Sequence, residues 1–242
     1  MRLDLYLVEN KYFTTRSKAA LAIKEQNVKV NDKIITKAGF NVSEGDVIKI
    51  KEDVNLFVSR GGLKLQKALQ YFNIDLNNKT VLDIGASTGG FTDCCLKNKA
   101  KKIYAYDVGH SQLDQSLIED SRVVAKEKIN CRYLTKEDFC DTIDFICMDV
   151  SFISCTKMFK AISDILDVGK EAVILFKPQF EVGSKHLNRQ GIVIDDKIIA
   201  IRLNETIDYA SKFDLHLIDK VISPIKGGDG NNEYLLYFKK IN

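Results

Sequence analysis

Apolar residues change their spacing near residue 58. Before that point Leu3, Leu7 and Val8 form one short stripe and Ala19, Ala20 and Ile23 another, the periodicity of two brief amphipathic helices. Thr14 or Thr15 stands where an N-cap for the second helix would go. The alternating stretch VKVNDKII, turned at Asn31 and Asp32, predicts a tight hairpin, and GDVIKI, Gly45 to Ile50, predicts a further strand. From about Val58 apolar strands alternate with amphipathic helical stretches, which predicts βαβ units around a largely parallel sheet. The expected strands are TVLDIG, KIYAYDV, RVVAKE, IDFICMDV, AVILFK, LHLIDKVI and YLLYFKK, with FTDCCLKN and KIIAIRLNETIDYASKF among the helices. This organisation is α/β: a small α+β domain over residues 1–50, a linker over 51–58, and a larger domain over 59–242 built on a seven-stranded mixed sheet.

Composition narrows the class without naming a function. With 242 residues, 45% hydrophobic and 29% charged, the chain is neither disordered nor fibrous. No apolar run approaches the roughly 18 residues of a membrane span, and MRLDLYLVEN lacks the pattern of a signal peptide. A cytoplasmic protein with no membrane partner is expected. The net charge of +3 sits in the first quarter, where residues 1–60 hold 11 Lys and Arg against 8 Asp and Glu, while the remainder balances at 25 and 25. That asymmetry hints at an anionic partner for the first domain. None of the six cysteines stands in a CxxC pair and the three histidines are scattered, so no metal site is expected and the thiols read as reduced.

Chemistry concentrates in the larger domain. VLDIGASTGGF, Val81 to Phe91, runs from a strand through a glycine turn into a helix, an arrangement that lets backbone N–H groups approach a ligand. The spacing of Gly85, Gly89 and Gly90 departs from GxGxxG, which disfavours a dinucleotide, whereas Asp83 precedes the turn as it commonly does in S-adenosylmethionine enzymes. Asp107 ends the next strand 22 positions beyond Gly85, close to the roughly 20-residue offset of a carboxylate that takes ribose hydroxyls. A nucleoside-bearing cofactor follows. Ligands of open α/β sheets gather at the carboxyl ends of the parallel strands, where IDFICMD ends at Asp149 and AVILFK leads into Lys177. If YLLYFKK runs antiparallel, Glu233 reaches the same edge, and Lys64 folds toward it from a helix opened by Gly61 and Gly62. Singly such charges are usually solvated; four at one edge mark a site.

Two resemblances sharpen this reading. The first fifty residues resemble the small RNA-binding domain named after ribosomal protein S-four, which implies an RNA-facing surface with Arg2, Arg16, Lys18, Lys29 and Asn31, extended by Arg60. VSRGGLKL, DIGASTGGFTD, DVGHSQL, MDVSFIS, KPQFEVG, SPIKG and GNNEYL, in order and across essentially residues 1–242, resemble the TlyA family, whose members are named both hemolysins and ribosomal RNA 2′-O-methyltransferases of FtsJ-like type. The resemblance implies a Rossmann-like methyltransferase domain that uses S-adenosylmethionine, a ribosomal RNA or ribosomal subunit as partner, and a cytidine ribose as target. It implies no particular oligomer. It places cofactor binding on Asp83, Gly85, Ala86, Ser87, Thr88, Gly89, Gly90, Phe91, Asp107, Val108, Glu127, Asn130 and Asp149, and catalysis on Lys64, Asp149, Lys177 and Glu233. The chain stops at Asn242, behind its last strand, as in short members that modify the large subunit, so large-subunit RNA is expected. Asn27, Asp32 and Ser111 stand where the family usually has glycine, and Ile118 and Lys128 where arginine is common.

A ribose 2′-hydroxyl is a poor nucleophile that must be aligned or stripped of its proton. A lysine serving as base would need its ordinary pKa of about 10.4 lowered by burial or by a cation such as Lys64, while Asp149 and Glu233 push the other way. Lys177 is therefore a base or a charged positioner. A membrane-lytic protein is the rival that the hemolysin name suggests, but no apolar span or strongly amphipathic basic helix supports it. A catalytically silent RNA-binding protein is a second rival, opposed by the intact tetrad and glycine turn.

Overall fold

The computed structural model describes residues 1–13, 15–51 and 57–242, and the chain divides into two compact units, Met1–Leu56 and Phe57–Asn242. In the smaller unit α1 (Leu3–Glu9) and α2 (Arg16–Lys24) pack on a three-stranded antiparallel sheet of β1 (Val28–Val30), β2 (Lys33–Ile34) and β3 (Ile48–Ile50), in the order β2-β1-β3. Leu3, Leu7, Ala19, Ile23, Val28 and Val30 form its core. Thr15 caps α2 by accepting the Lys18 N–H; Thr14, the other candidate, and residues 52–56 of the expected linker lie outside the described residues. The hairpin turns at Asn31 and Asp32 with φ of 50° and 63°, a left-handed pair that Asn and Asp tolerate better than other side-chain-bearing residues. Asn31 then ties the turn to the approach of β3, accepting from the Val47 N–H at 2.9 Å and donating to Asp46 at 2.7 Å.

The larger unit contains α3 (Gly61–Tyr71), β4 (Thr80–Ile84), α4 (Gly90–Lys97), β5 (Lys102–Tyr106), α5 (Gln115–Ile118), β6 (Val123–Lys126), β7 (Phe145–Met148), α6 (Phe159–Ile165), β8 (Glu171–Phe176), α7 (Pro178–Glu181), α8 (Asp196–Ser211), β9 (Leu215–Ile222) and β10 (Tyr234–Lys240). The seven expected strands form one mixed sheet in the order β6-β5-β4-β7-β8-β10-β9. Strands β4 to β8 pair in parallel, and β10 runs antiparallel to both β8 and β9.

Side chains on a strand alternate between faces, and here both faces are covered. Val81, Ile103, Phe145, Cys147 and Val173 pack against Leu65, Leu69 and Phe91 from α3 and α4. Their neighbours Leu82, Tyr104, Ile146, Met148 and Ile174 pack against Phe159, Ile162, Ile199 and Leu203 from α6 and α8. Double coverage explains why these strands read as unbroken apolar runs rather than alternating ones. Each fully buried Leu, Ile or Phe adds about 1.5–3 kcal/mol of burial free energy. All six cysteines are free, five of them inside the fold and Cys140 exposed. From β4 the chain winds outward through β5 and β6 and then returns to β7 on the other side. That reversal opens a crevice at the carboxyl ends of β4, β5 and β7.

Candidate active site

The crevice is a cavity of about 480 Å³ lined by Gly85, Ser87, Asp107, Val108, Asn130 and Asp149 from the expected set. Gly85 leaves β4 with φ of 83°, and a Cβ built on it would stand 2.5 Å from the Asp149 carbonyl oxygen, so this backbone path belongs to glycine. The Gly85 and Ala86 N–H groups both donate to the Tyr106 carbonyl, which moors the turn to the end of β5. Asp107 continues from that end: its Oδ2 accepts the Ser87 N–H at 2.8 Å and its Oδ1 the Gly109 N–H at 2.6 Å. The acid therefore organises two loops at the cavity mouth, with Val108 exposed beside it.

Other expected cofactor residues support the cavity without lining it. Asp83 is wholly buried and accepts from the Thr92 hydroxyl at 2.6 Å; burial pushes its carboxyl up to about 7, with the Thr92 hydrogen bond opposing and the Asp149 charge adding to the rise. Gly90 lets α4 approach α3, since a Cβ there would meet Ser59 Oγ at 2.4 Å and the Gly62 nitrogen at 2.8 Å. Gly89 accommodates Leu117 in the same way, and Phe91 lies in the core. Ala86, Thr88 and Glu127 are likewise absent from the lining. Sequence reasoning missed Gln112, Cys131, Ser151, Phe152 and Met158, which do line it. The neighbours Asn130 and Asp149 were the available signals for Cys131 and for Ser151 and Phe152. Burial raises the Cys131 thiol to about 12, so it meets the cavity as a neutral group.

The four strand-edge charges converge. Asp149 follows β7 and donates its N–H to the Ile84 carbonyl. Lys177 follows β8 and directly precedes Pro178, the first residue of α7. A residue before proline is held extended, here at φ −115° and ψ 102°, and proline starts the helix without needing a donor. A buried strand thus ends on a lysine fixed at the crevice. The antiparallel register pairs Tyr234 with Phe176, so Glu233 arrives opposite Lys177. Lys64 comes from the first turn of α3. Its Nζ lies 2.6 Å from Glu233 Oε2 and 3.6 Å from Asp149 Oδ2, while Lys177 Nζ lies 2.5 Å from Asp149 Oδ1. The side chains form an alternating series Glu233, Lys64, Asp149, Lys177 with no net charge. Lys177 also donates to Ser151 Oγ at 2.7 Å. A Cβ on Gly227 would stand 2.5 Å from Glu233 Oε1, so the loop before β10 closes tightly on the carboxylate.

Phe152 breaks local rules at the rim. It holds a bulky side chain at φ of 63°, is 91% exposed, and sits 5.3 Å from the Phe180 ring. Such strain persists only where surrounding contacts hold it. In the smaller unit Arg2 and Arg16 both donate to Oδ2 of buried Asp4, whose carboxyl they hold at about 2, the hydrogen bond from Arg2 being the largest influence. Lys29 is exposed on β1, Lys18 lies in α2, and Asn31 is occupied by its turn contacts. Arg60 belongs to the larger unit, exposed just before α3.

A glycine turn into a helix, a strand-end acid and a cavity at the strand switch point define the class: a Rossmann-like methyltransferase domain behind a small α+β domain. Residues 57–240 match the FtsJ-like methyltransferase family and residues 1–48 the S4 domain. Hemolysin A from Brachyspira hyodysenteriae is 44% identical, over 98% of this chain and 99% of its own. The 16S/23S rRNA (cytidine-2'-O)-methyltransferase TlyA of Mycobacterium tuberculosis is 35% identical over 98% of this chain and 89% of its own; the 23S rRNA (cytidine-2'-O)-methyltransferase TlyA of Campylobacter jejuni is 35% identical over 99% and 100%. A solved structure with a hemolysin name, from Streptococcus thermophilus, superposes with a TM-score of 0.80 at 38% identity over 100% of this chain and 89% of that one. The chain belongs to the TlyA family of S4-domain-bearing, FtsJ-like methyltransferases. Its methyl donor is S-adenosylmethionine, and the residues fit that group: the glycine turn leaves a side-chain-free approach at Gly85, and Asp107 stands at the mouth of a cavity of nucleoside size. Among the described residues no helix is long and apolar enough to cross a membrane.

Proposed function

We propose that the protein methylates the 2′-hydroxyl of a cytidine ribose in large-subunit ribosomal RNA. The observation that carries this reading is the Glu233, Lys64, Asp149, Lys177 series, held within 2.5 to 3.6 Å links beside the cavity. S-adenosylmethionine, when bound, supplies the methyl group. Gly85, Ser87, Asp107, Val108 and Asn130 line its cavity, and Asp149 borders both cavity and ion series.

Lys177 Nζ faces the substrate hydroxyl and aligns it for attack, either as a charged positioner or, when neutral, as the base that takes its proton while the new O–C bond forms and the donor's S–C bond breaks. Alignment of this kind supplies much of a rate enhancement, because a positioned hydroxyl reacts as if unimolecularly. Asp149 holds Lys177 and, at longer range, Lys64; Glu233 holds Lys64 in turn, so the four side chains keep one geometry. The smaller unit binds RNA through the exposed face that presents Arg2, Arg16, Lys18 and Lys29, with Asn31 shaping the hairpin and Arg60 adding a contact from the larger unit. Cytidine and 23S RNA are supported by the names of both TlyA relatives, for which the large subunit is the shared substrate.

The test is methyl transfer from radiolabelled S-adenosylmethionine to separated small and large subunits from a host lacking the modification. Label in cytidine 2′-O-methyl groups of large-subunit RNA is expected, with loss of label for Lys177→Ala and Glu233→Ala variants that still bind the donor. Full activity of the Lys177→Ala protein, or label confined to a base rather than a ribose, would sink the assignment.

A further inference from the structure

We infer that Ser151 is a positioning residue for Lys177, aiming its amine at the substrate hydroxyl. The inference rests on the reading of Lys177 given above. A primary amine or ammonium has three tetrahedral positions besides its carbon. At Lys177 one of them is taken by Ser151 Oγ, which accepts from Nζ at 2.7 Å, whereas Asp149 Oδ1, 2.5 Å from Nζ, is an ion-pair contact without hydrogen-bond alignment. The Lys177 side chain is only 9% exposed, whereas Ser151 is exposed and lines the cavity. The hydrogen bond to Ser151 therefore fixes which way the remaining positions of Nζ face the substrate. Asp149 alone would leave the amine free to rotate about the Cε–Nζ bond. A fixed acceptor removes that freedom.

The acceptor is itself fixed. Ser151 belongs to the loop between β7 and the turn at Cys155–Met158, and Glu181 grips that loop with both carboxylate oxygens: Ser154 Oγ donates at 2.6 Å and the Cys155 N–H at 2.8 Å. Glu181 lies on α7, which begins immediately after Lys177. The loop carrying Ser151 and the turn carrying Lys177 are thereby joined twice, by the Ser151–Lys177 bond and by the Glu181 clamp. Moving either would misdirect the amine.

The test compares wild-type, Ser151→Ala, Ser151→Thr and Lys177→Ala full-length proteins in single-turnover methyl transfer to isolated large subunits, from about pH 6 to about pH 9.5. Calorimetry measures donor affinity in parallel. Ser151→Ala should slow the chemical step by about 10- to 100-fold and displace the rising limb of the pH profile, with donor affinity and RNA KM within about twofold of wild type. Ser151→Thr, which keeps the hydroxyl, should recover most of the rate and the wild-type profile. An unchanged rate and pH profile in Ser151→Ala, beside an inactive Lys177→Ala, overturns the inference and leaves the proposed function standing. Equal losses in donor affinity and rate, or a Thr variant as slow as Ala, also overturn it by showing a role in loop structure. An active Lys177→Ala protein overturns the functional reading itself.

Discussion

Replacing Lys64 by methionine removes the one cation within ion-pair distance of Glu233 among the described residues. The Lys64 and Glu233 side chains are 10% and 2% exposed, and their charged atoms lie 2.6 Å apart. Without Lys64 the carboxylate stays where almost no water reaches it, and breaking a buried pair in this way typically destabilises by about 3–5 kcal/mol. For a unit the size of Phe57–Asn242, each kcal/mol moves Tm by about 2–4 °C, so a fall of about 6–20 °C is expected. Neutralising the partner as well should reverse most of the loss: a Lys64→Met, Glu233→Gln double variant should lie within about 1–2 kcal/mol of wild type. Lys177 still holds Asp149 in that variant. The chain has no tryptophan, so urea unfolding is followed by far-UV circular dichroism, with ΔG taken at constant m. The double-mutant cycle then gives a coupling energy of about 2–3 kcal/mol. A Lys64→Met protein within 1 kcal/mol of wild type, or strictly additive losses, would refute the claim that the pair is a desolvated structural unit. Activity losses at Lys64 should accordingly be measured below the variant's own melting transition.

Three further perturbations test other parts of the site and fold. Asp83 is raised from 3.8 to about 7, so its folded form keeps a proton that the unfolded chain has released; this stabilisation is complete below about pH 4 and fades as pH rises through 7, by roughly 4 kcal/mol. The stability gap between Asp83→Asn and wild type should therefore move in favour of the variant across that window, and a pH-independent gap contradicts the cause given. Gly85→Ala places a Cβ 2.5 Å from the Asp149 carbonyl at φ of 83°, which should weaken donor binding by at least about tenfold and destabilise by about 1–2 kcal/mol; undiminished affinity in calorimetry would count against the turn as the cofactor's approach. Asp4, held at about 2 beneath Arg2 and Arg16, contributes stability that is present above about pH 4 and lost as pH falls through 2. Asp4→Asn should cost the smaller unit about 1–2 kcal/mol at neutral pH and almost nothing near pH 2, a convergence visible in thermal melts.

Particular residues show how far local information reached. Asp32 and Ser111 stand where the family favours glycine, and the fold puts both in the left-handed region, at φ of 63° and 53°. The comparison with glycine marked the backbone demand, but not that Asp32 would meet it beside a Lys49 ion pair at 2.7 Å. The resemblance places Gly89 and Gly90 among the cofactor's residues. In the fold they make room for Leu117 and for the junction of α3 with α4, and a glycine needed for close packing leaves the same mark in a sequence as one needed for a ligand. The left-handed backbone of Phe152 left no mark, since a positive φ at a bulky residue arises from contacts that hold its loop rather than from its own preference.

By itself the sequence determined the seven strands, the unbroken apolar runs of the central ones and the residues at their ends. Those features follow from side-chain period and apolar content over a few neighbouring positions. The tertiary structure alone decided who partners whom. Glu233 reaches the crevice because β10 inserts antiparallel between β8 and β9, and it pairs with Lys64 from α3 rather than with Lys177 opposite it on the sheet. Ser151 and Glu181 gain their importance from loops brought together across 26 and 27 positions of chain. Asp83 acquires its raised pKa only once helices cover both faces of β4. Ion-pair distances and desolvation are set by segments remote in sequence, and no local pattern encodes them.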